Sequence, residues 1–184
     1  MEVRDFNGEG RWSAAQIVAR YHDYAGELGV AAPRDVRPDV SESGACRWVY
    51  PVMDRIIDGI EAQDVACAQI GVEFLEEDRG FVFGAILKSN TARALRRCRV
   101  LTEEQTDRIR RRIVRLYATG IVPREFAQYL KLIRRLGVGP YWQEILAAEP
   151  RNHFASRARR FFETRFDRDG CPLPDQRQQD PREQ

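Results

Sequence analysis

The stretch that decides the fold is TEEQTDRIRRRIVRLYATGIVPREFAQYLKLIRRLG, residues 102–137. It opens with Thr102 and Gln105 at the spacing of a capping box, in which two side chains satisfy backbone groups at a helix start. Apolar residues then recur at helical spacing, at Ile109, Ile113, Leu116 and Tyr117, and again at Phe126, Tyr129, Leu130, Ile133 and Leu136. Gly120 and Pro123 separate the two sets. The pattern predicts helices over 102–119 and 123–136, joined as an αα-hairpin.

Helical spacing of apolar residues continues on both sides of this hairpin, and it predicts six more helices, over residues 13–28, 48–61, 62–77, 85–99, 140–149 and 152–168. Residues 1–11 are expected to be an irregular lead-in, and residues 29–47, which are rich in Pro, Gly and small polar residues, a linker. Residues 81–84 have some strand character but are too few to support a sheet. We therefore predict an all-α fold of seven or eight helices, with one domain over residues 1–168 and a disordered tail over 169–184.

The hairpin and its neighbours, over about residues 85–149, resemble the paired helices of HEAT-type repeat proteins. The resemblance implies a short array of αα-hairpins. No sequence repeat of fixed period is visible in the chain, and an irregular helical bundle is the alternative arrangement.

Charge is distributed unevenly along the chain, although its formal net charge is only +2. Residues 1–80 hold eight basic and sixteen acidic residues, whereas residues 88–135 hold fourteen basic and four acidic ones. This layout predicts either an acidic partner or two halves that attract each other. The acidic run at Glu76, Glu77 and Asp78 ends a predicted helix, where the helix dipole disfavours carboxylates. That cost disappears if the basic region packs nearby.

The basic residues form stripes along the predicted helices. Arg108, Arg111, Arg112 and Arg115 follow helical spacing on the side opposite the apolar residues, and Arg124, Lys131 and Arg135 repeat the arrangement on the next helix. Tyr141 and Trp142 lie beside a predicted turn, which is a reasonable place for a partner contact. The candidate binding residues are therefore Arg108, Arg111, Arg112, Arg115, Arg124, Lys131, Arg135, Tyr141 and Trp142.

Three functional interpretations of this basic face remain open. In the preferred one, the chain is a non-enzymatic binding or adaptor module that docks an acidic protein, or a second copy of itself, through the face. In the second, the same arginines contact the phosphates of a nucleic acid, with affinity that falls as salt rises. In the third, the face is covered internally by the acidic helices of the first half.

Catalytic motifs are missing from the sequence. It contains no phosphate-binding loop and no paired metal ligands, so we expect no enzymatic activity, no metal and no cofactor. An enzyme acting on nucleic acid, in the manner of helical-repeat DNA glycosylases, would need an exposed carboxylate beside aromatic side chains within the positive concavity. Glu125 and Trp142 are the nearest candidates.

Composition and cysteine usage indicate where the protein works. Hydrophobic residues make up 43% of the 184 residues, enough for a buried core. Charges interrupt each apolar run before a membrane span could form, and the N-terminus has no apolar segment typical of a secretory signal. The four cysteines are scattered without a metal-binding spacing. We therefore expect a cytoplasmic protein with reduced thiols and no contact with membranes.

Overall fold

A computed structural model describes residues 1–174 of the chain. In this part of the chain eight α-helices pack into a bundle: α1 (Ala14–Glu27), α2 (Met53–Glu61), α3 (Val65–Glu76), α4 (Gly84–Arg97), α5 (Glu103–Ala118), α6 (Phe126–Leu136), α7 (Trp142–Ala147) and α8 (His153–Arg165). The predicted helical bundle of seven or eight helices is confirmed. None of the described helices is long and apolar enough to span a bilayer.

Helix α3 lies at the centre of the bundle, where α1, α2, α4 and α5 all pack against it. Its apolar residues point in several directions, and nine of its twelve residues are buried. The crossing with α2 is close because Gly59 faces Cys67: a methyl group added at Gly59 would overlap the thiol. Gly71 makes a similar approach to Ile60. The α3 position follows from its sequence, since a helix that is apolar on several sides must be surrounded.

A small sheet, which the sequence did not predict, is formed by the segments before and after α1. It consists of β1 (Glu2–Asp5), β2 (Val40–Ser43) and β3 (Cys46–Val49), with β3 in the middle, parallel to β1 and antiparallel to β2. The prediction of an irregular lead-in is therefore wrong for residues 2–5, which form β1. The prediction of a linker is wrong for residues 40–43 and 46–47, and that of a helix from residue 48 is wrong because residues 48 and 49 belong to β3. The strands are four residues long and none of their residues is fully buried, so they lack the alternating pattern that reveals a half-buried strand.

Two local signals explain where the strands end and α2 begins. Gly44, with a φ of +60°, forms the tight turn between β2 and β3. Pro51 disfavours helical geometry at the preceding Tyr50, and α2 accordingly begins at Met53 rather than at residue 48.

The chain after α8 folds back onto the bundle instead of leaving it at residue 169. Phe166 pairs with Pro172 through a β-bridge, and the indole Nε1 of Trp142 donates a hydrogen bond to the Arg168 carbonyl at 2.8 Å. Gly170, with a φ of +76°, sits so close to Trp142 and Val138 that a methyl group at this position would lie 2.7 Å from Val138. The predicted disordered tail is thus wrong for residues 169–174, and its remainder, 175–184, lies outside the described residues.

Candidate functional site: the groove between α6 and α8

The predicted arginine stripe on α5 is divided by its contacts with the acidic end of α3. Arg108 pairs with Glu76 through two hydrogen bonds, of 3.1 and 2.6 Å, and Arg112 donates to the Leu75 carbonyl at 3.1 Å and to the Asp78 carboxylate. The bond from Arg112 lowers the pKa of the Asp78 carboxyl. These two guanidinium groups are engaged inside the molecule, which corrects their assignment to an open docking face. The expectation that cations would offset the acidic helix end is met here.

The other residues predicted around α5 lie nearby but do not complete a uniform positive surface. Arg111 is exposed and pairs with Asp107 at 3.0 Å, and the hydroxyl of Tyr141 donates to the same carboxylate at 2.9 Å. Arg115 is exposed at the last turn of α5. The four stripe arginines share an open cavity of about 220 Å³ with Glu76 and Asp78, so this cavity has mixed charge.

Trp142 is part of the core rather than a partner contact. Its side chain is buried, its indole N–H bonds the Arg168 carbonyl and its ring packs 6.0 Å from that of Phe166. The assignment of Trp142 to a binding corner is therefore corrected.

Arg124 and Lys131, from the second predicted stripe, lie on a groove between α6 and α8. The groove has a volume of about 680 Å³. From the α5–α6 turn and α6 it is lined by Val122, Pro123, Arg124, Phe126, Ala127, Leu130 and Lys131. From α8 it is lined by Phe154, Arg157, Ala158 and Phe161. Arg135 is exposed on α6 but is not part of this lining.

The groove is apolar from floor to edge. Phe126 and Ala158 form a buried floor, and the half-buried Leu130 and Phe161 form its walls. At the edge Phe154 keeps 60% of its surface exposed. A solvent-exposed aromatic ring that adjoins other apolar side chains is typical of a surface that binds a protein or another ligand.

Three cations surround this apolar surface, namely Arg124, Lys131 and Arg157. All three are exposed, and within residues 1–174 none of them has an ion pair or a side-chain hydrogen bond. Among the residues that the structure describes, the lining contains no acidic side chain. The groove therefore combines an apolar surface with uncompensated positive charge, which suits a ligand that is itself apolar and anionic.

Sequence reasoning placed two of these cations on a binding face but missed the α8 side. Its signal was present, because α8 carries more apolar residues than one face can bury. Ala155, Ala158 and Phe162 follow one helical stripe and are buried, whereas Phe154 and Phe161 follow a second stripe. When a helix has two apolar stripes and the core buries one of them, the second stripe stays available for contact with a ligand.

Within residues 1–174, the groove lining has no carboxylate, histidine, thiol or hydroxyl side chain, and its ionisable groups are those of Arg124, Lys131 and Arg157. Elsewhere in the described part of the chain, no three His, Cys, Asp or Glu side chains are grouped so as to hold a metal ion. Comparisons of the chain with protein-family models, with curated proteins and with solved structures found no match.

Proposed function

We propose that this protein is a non-enzymatic binding module that docks an acidic partner protein in the groove between α6 and α8. The observation that carries the proposal is the set of three exposed cations, Arg124, Lys131 and Arg157, around an apolar surface to which residues 1–174 contribute no carboxylate. Arg111, Arg115 and Arg135 are further exposed cations of the second half. They add long-range attraction for an acidic partner, which raises the rate of encounter.

A protein fits the groove better than a nucleic acid because of the apolar lining. Phosphate contacts need cations and hydrogen-bond donors, and they make no use of Phe154, Leu130 or Phe161. Protein interfaces bury an apolar centre inside a polar or charged rim, which is the arrangement seen here.

The test is a selection of peptides from a random display library, with peptides of about 16 residues, against the full chain. We expect the enriched peptides to be acidic. Replacing Arg124, Lys131 and Arg157 together by Ala should weaken the tightest peptide at least about tenfold in fluorescence anisotropy, because each rim charge steers and holds the partner. The affinity should also fall as salt rises.

The matched control removes three exposed arginines that lie outside the groove, Arg93, Arg99 and Arg160, so that the net charge changes equally. Its affinity should stay within about twofold of the unmodified protein, a change below 0.5 kcal/mol. An equal loss in both triple variants would show that only net charge matters and would overturn the proposal. So would a library that yields no acidic binders, or random duplex DNA that binds through the same three cations.

A further inference from the structure

The two helices that form the groove present the spacing of a helix–helix seam. On α6 the lining residues Phe126, Ala127 and Leu130 stand at i, i+1 and i+4, and on α8 Phe154, Ala158 and Phe161 stand at i, i+4 and i+7. Side chains at this spacing form one stripe along each helix. Two such stripes facing a common groove are two sides of a three-helix packing arrangement.

No element of residues 1–174 occupies the third position of this arrangement, since the groove is open and Phe154 is mostly exposed. The groove lining includes the small side chains of Ala127 and Ala158 next to the larger Leu130 and Phe161. Small residues at a contact let a neighbouring helix approach closely, to the usual axis separation of about 8–10 Å.

The charges lie on the two flanks of the seam. On the α6 side, Arg124 lies in the turn two residues before the helix, and Lys131 lies within the helix, seven residues further along the chain. Arg157 lies on the α8 side. A small amphipathic anion with one charged head would meet only one of these cations. A helix that carries carboxylates on both flanks would meet all three.

We infer that the docking segment of the acidic partner is an amphipathic α-helix, with an apolar stripe flanked on both sides by Asp or Glu, which completes a three-helix seam with α6 and α8. This inference rests on the proposed function and adds the conformation of the ligand. Binding is then of the helix-in-groove kind, in which anchors at i, i+3, i+4 and i+7 enter the apolar surface.

The experiment uses the tightest acidic peptide from the selection described above, titrated with the full chain. We expect circular dichroism to show a gain of helix on binding. A proline in the middle of the peptide should weaken binding at least about tenfold, because it breaks the helix. Phe154→Ala, which changes no charge, should cause a similar loss, whereas Leu28→Ala, at another exposed apolar residue, should leave binding within about twofold.

A second variant separates close helix packing from general electrostatic attraction. Ala127→Lys adds a favourable charge at an exposed position of α6, so it would strengthen a purely electrostatic contact. Its longer side chain would take up space in the groove that a docked helix needs, and we expect weaker binding. Stronger binding would overturn the inference.

The remaining outcomes distinguish the inference from the proposed function. A peptide that needs the three rim cations but tolerates proline and gains no helix would show an extended acidic ligand, which overturns only the inference. A peptide that ignores the rim cations overturns the proposed function itself. A dimer of the protein in light scattering that Phe154→Ala dissociates would show that a second copy occupies the groove, and this too would overturn the inference.

Discussion

At the scale of single residues, Glu73 on α3 is a carboxylate that binds side chains of α1, of α3 and of the segment before α1. It is only 8% exposed, and its carboxylate accepts hydrogen bonds from Arg11 at 2.5 Å, Arg20 at 2.6 Å, Tyr24 at 2.5 Å and Gln69 at 3.0 Å. Burial lowers the pKa of Arg20, and the Glu73 charge opposes this shift. A buried carboxylate with four donors is well compensated, whereas the Nε of Arg20 beside it is buried without a hydrogen-bond partner among the described residues.

Replacing Glu73 by Gln should destabilise the protein by about 2–3 kcal/mol, because the guanidinium of Arg20 would remain buried without a counter-charge. Urea denaturation measures the change in the free energy of unfolding. The control is Glu163→Gln, which breaks an exposed ion pair with Arg159 one turn away on α8. Such a pair contributes no more than about 0.5 kcal/mol, so equal effects of the two variants would contradict the role given to Glu73.

The candidate site shows how far a residue's role can be predicted from sequence. Spacing placed Arg108 and Arg112 on the same stripe as Arg111 and Arg115, and it could not distinguish them. The distinction depends on where the end of α3 lies against α5, which is a tertiary contact between residues more than thirty positions apart. The acidic run ending α3 indicated that cations would pack there, but it did not identify which ones.

At the scale of secondary structure, helices were predictable and strands were not. The capping box of Thr102 and Gln105 is present at the start of α5, and the side chain of Ser13 caps α1. These signals are local, so they can be recognised without the fold. The sheet depends on pairing between β1 and β3, which lie about forty residues apart, and its short exposed strands carry little pattern of their own.

Asp64 caps the start of α3 and also accepts a hydrogen bond from another helix. Its Oδ1 accepts from the backbone N–H groups of Ala66 and Cys67 at 2.9 and 3.0 Å, and its Oδ2 accepts from the Tyr21 hydroxyl at 2.9 Å. The Tyr21 hydroxyl in turn accepts from the Arg34 N–H at 2.6 Å. One carboxylate thus joins the start of α3, the middle of α1 and the segment leading to β2.

Asp64→Ala should cost about 2–3 kcal/mol of stability, because it removes the cap and leaves buried donors without an acceptor. Guanidinium denaturation gives the value. Ser13→Ala is the matched control: its side chain accepts a single exposed bond at 3.4 Å, and its loss should cost about 0.5 kcal/mol or less. If Asp64→Ala lowers the free energy of unfolding no more than Ser13→Ala does, Asp64 does not have the stabilising role described here.

At the scale of the whole molecule, ion pairs join the acidic first half to the basic second half. Glu76 pairs with Arg108 and Asp78 with Arg112 where α3 ends against α5, and Glu61 on α2 pairs with Arg97 on α4. The charge layout of the sequence predicted either an acidic partner or two halves that attract each other, and it left open whether the arginines face water or carboxylates. Some arginines pair with carboxylates and others face water, because the end of α3 contacts α5 but does not line the groove between α6 and α8.

The contact between the halves predicts a dependence of stability on pH. The hydrogen bond from Arg112 lowers the pKa of Asp78 in the folded state, so its stabilisation is complete above the unfolded pKa of about 4 and is lost as pH falls through the folded value. Asp78→Asn should therefore destabilise the protein at pH 7 but not near pH 2. Asp78 is 74% exposed, which limits the difference to less than about 1 kcal/mol.

Thermal unfolding across this pH range measures the effect of Asp78→Asn, and Arg112→Met provides the reference background. With Arg112 absent, the substitution at position 78 should no longer change the pH dependence, because the bond that shifts the carboxyl is gone. A pH dependence that persists in that background would show that another group is responsible.

The packing of Gly170 determines how short a version of this protein can fold by itself. Without residues 167–173, the indole N–H of Trp142 would lose its acceptor, and the surface that Gly170 covers on Val138 and Trp142 would face water. Leu173 also donates its backbone N–H to Arg165 at 2.8 Å and accepts from Arg134. The minimal autonomous folding unit therefore reaches at least to Leu173, although the helical periodicity of the sequence ends near Phe166.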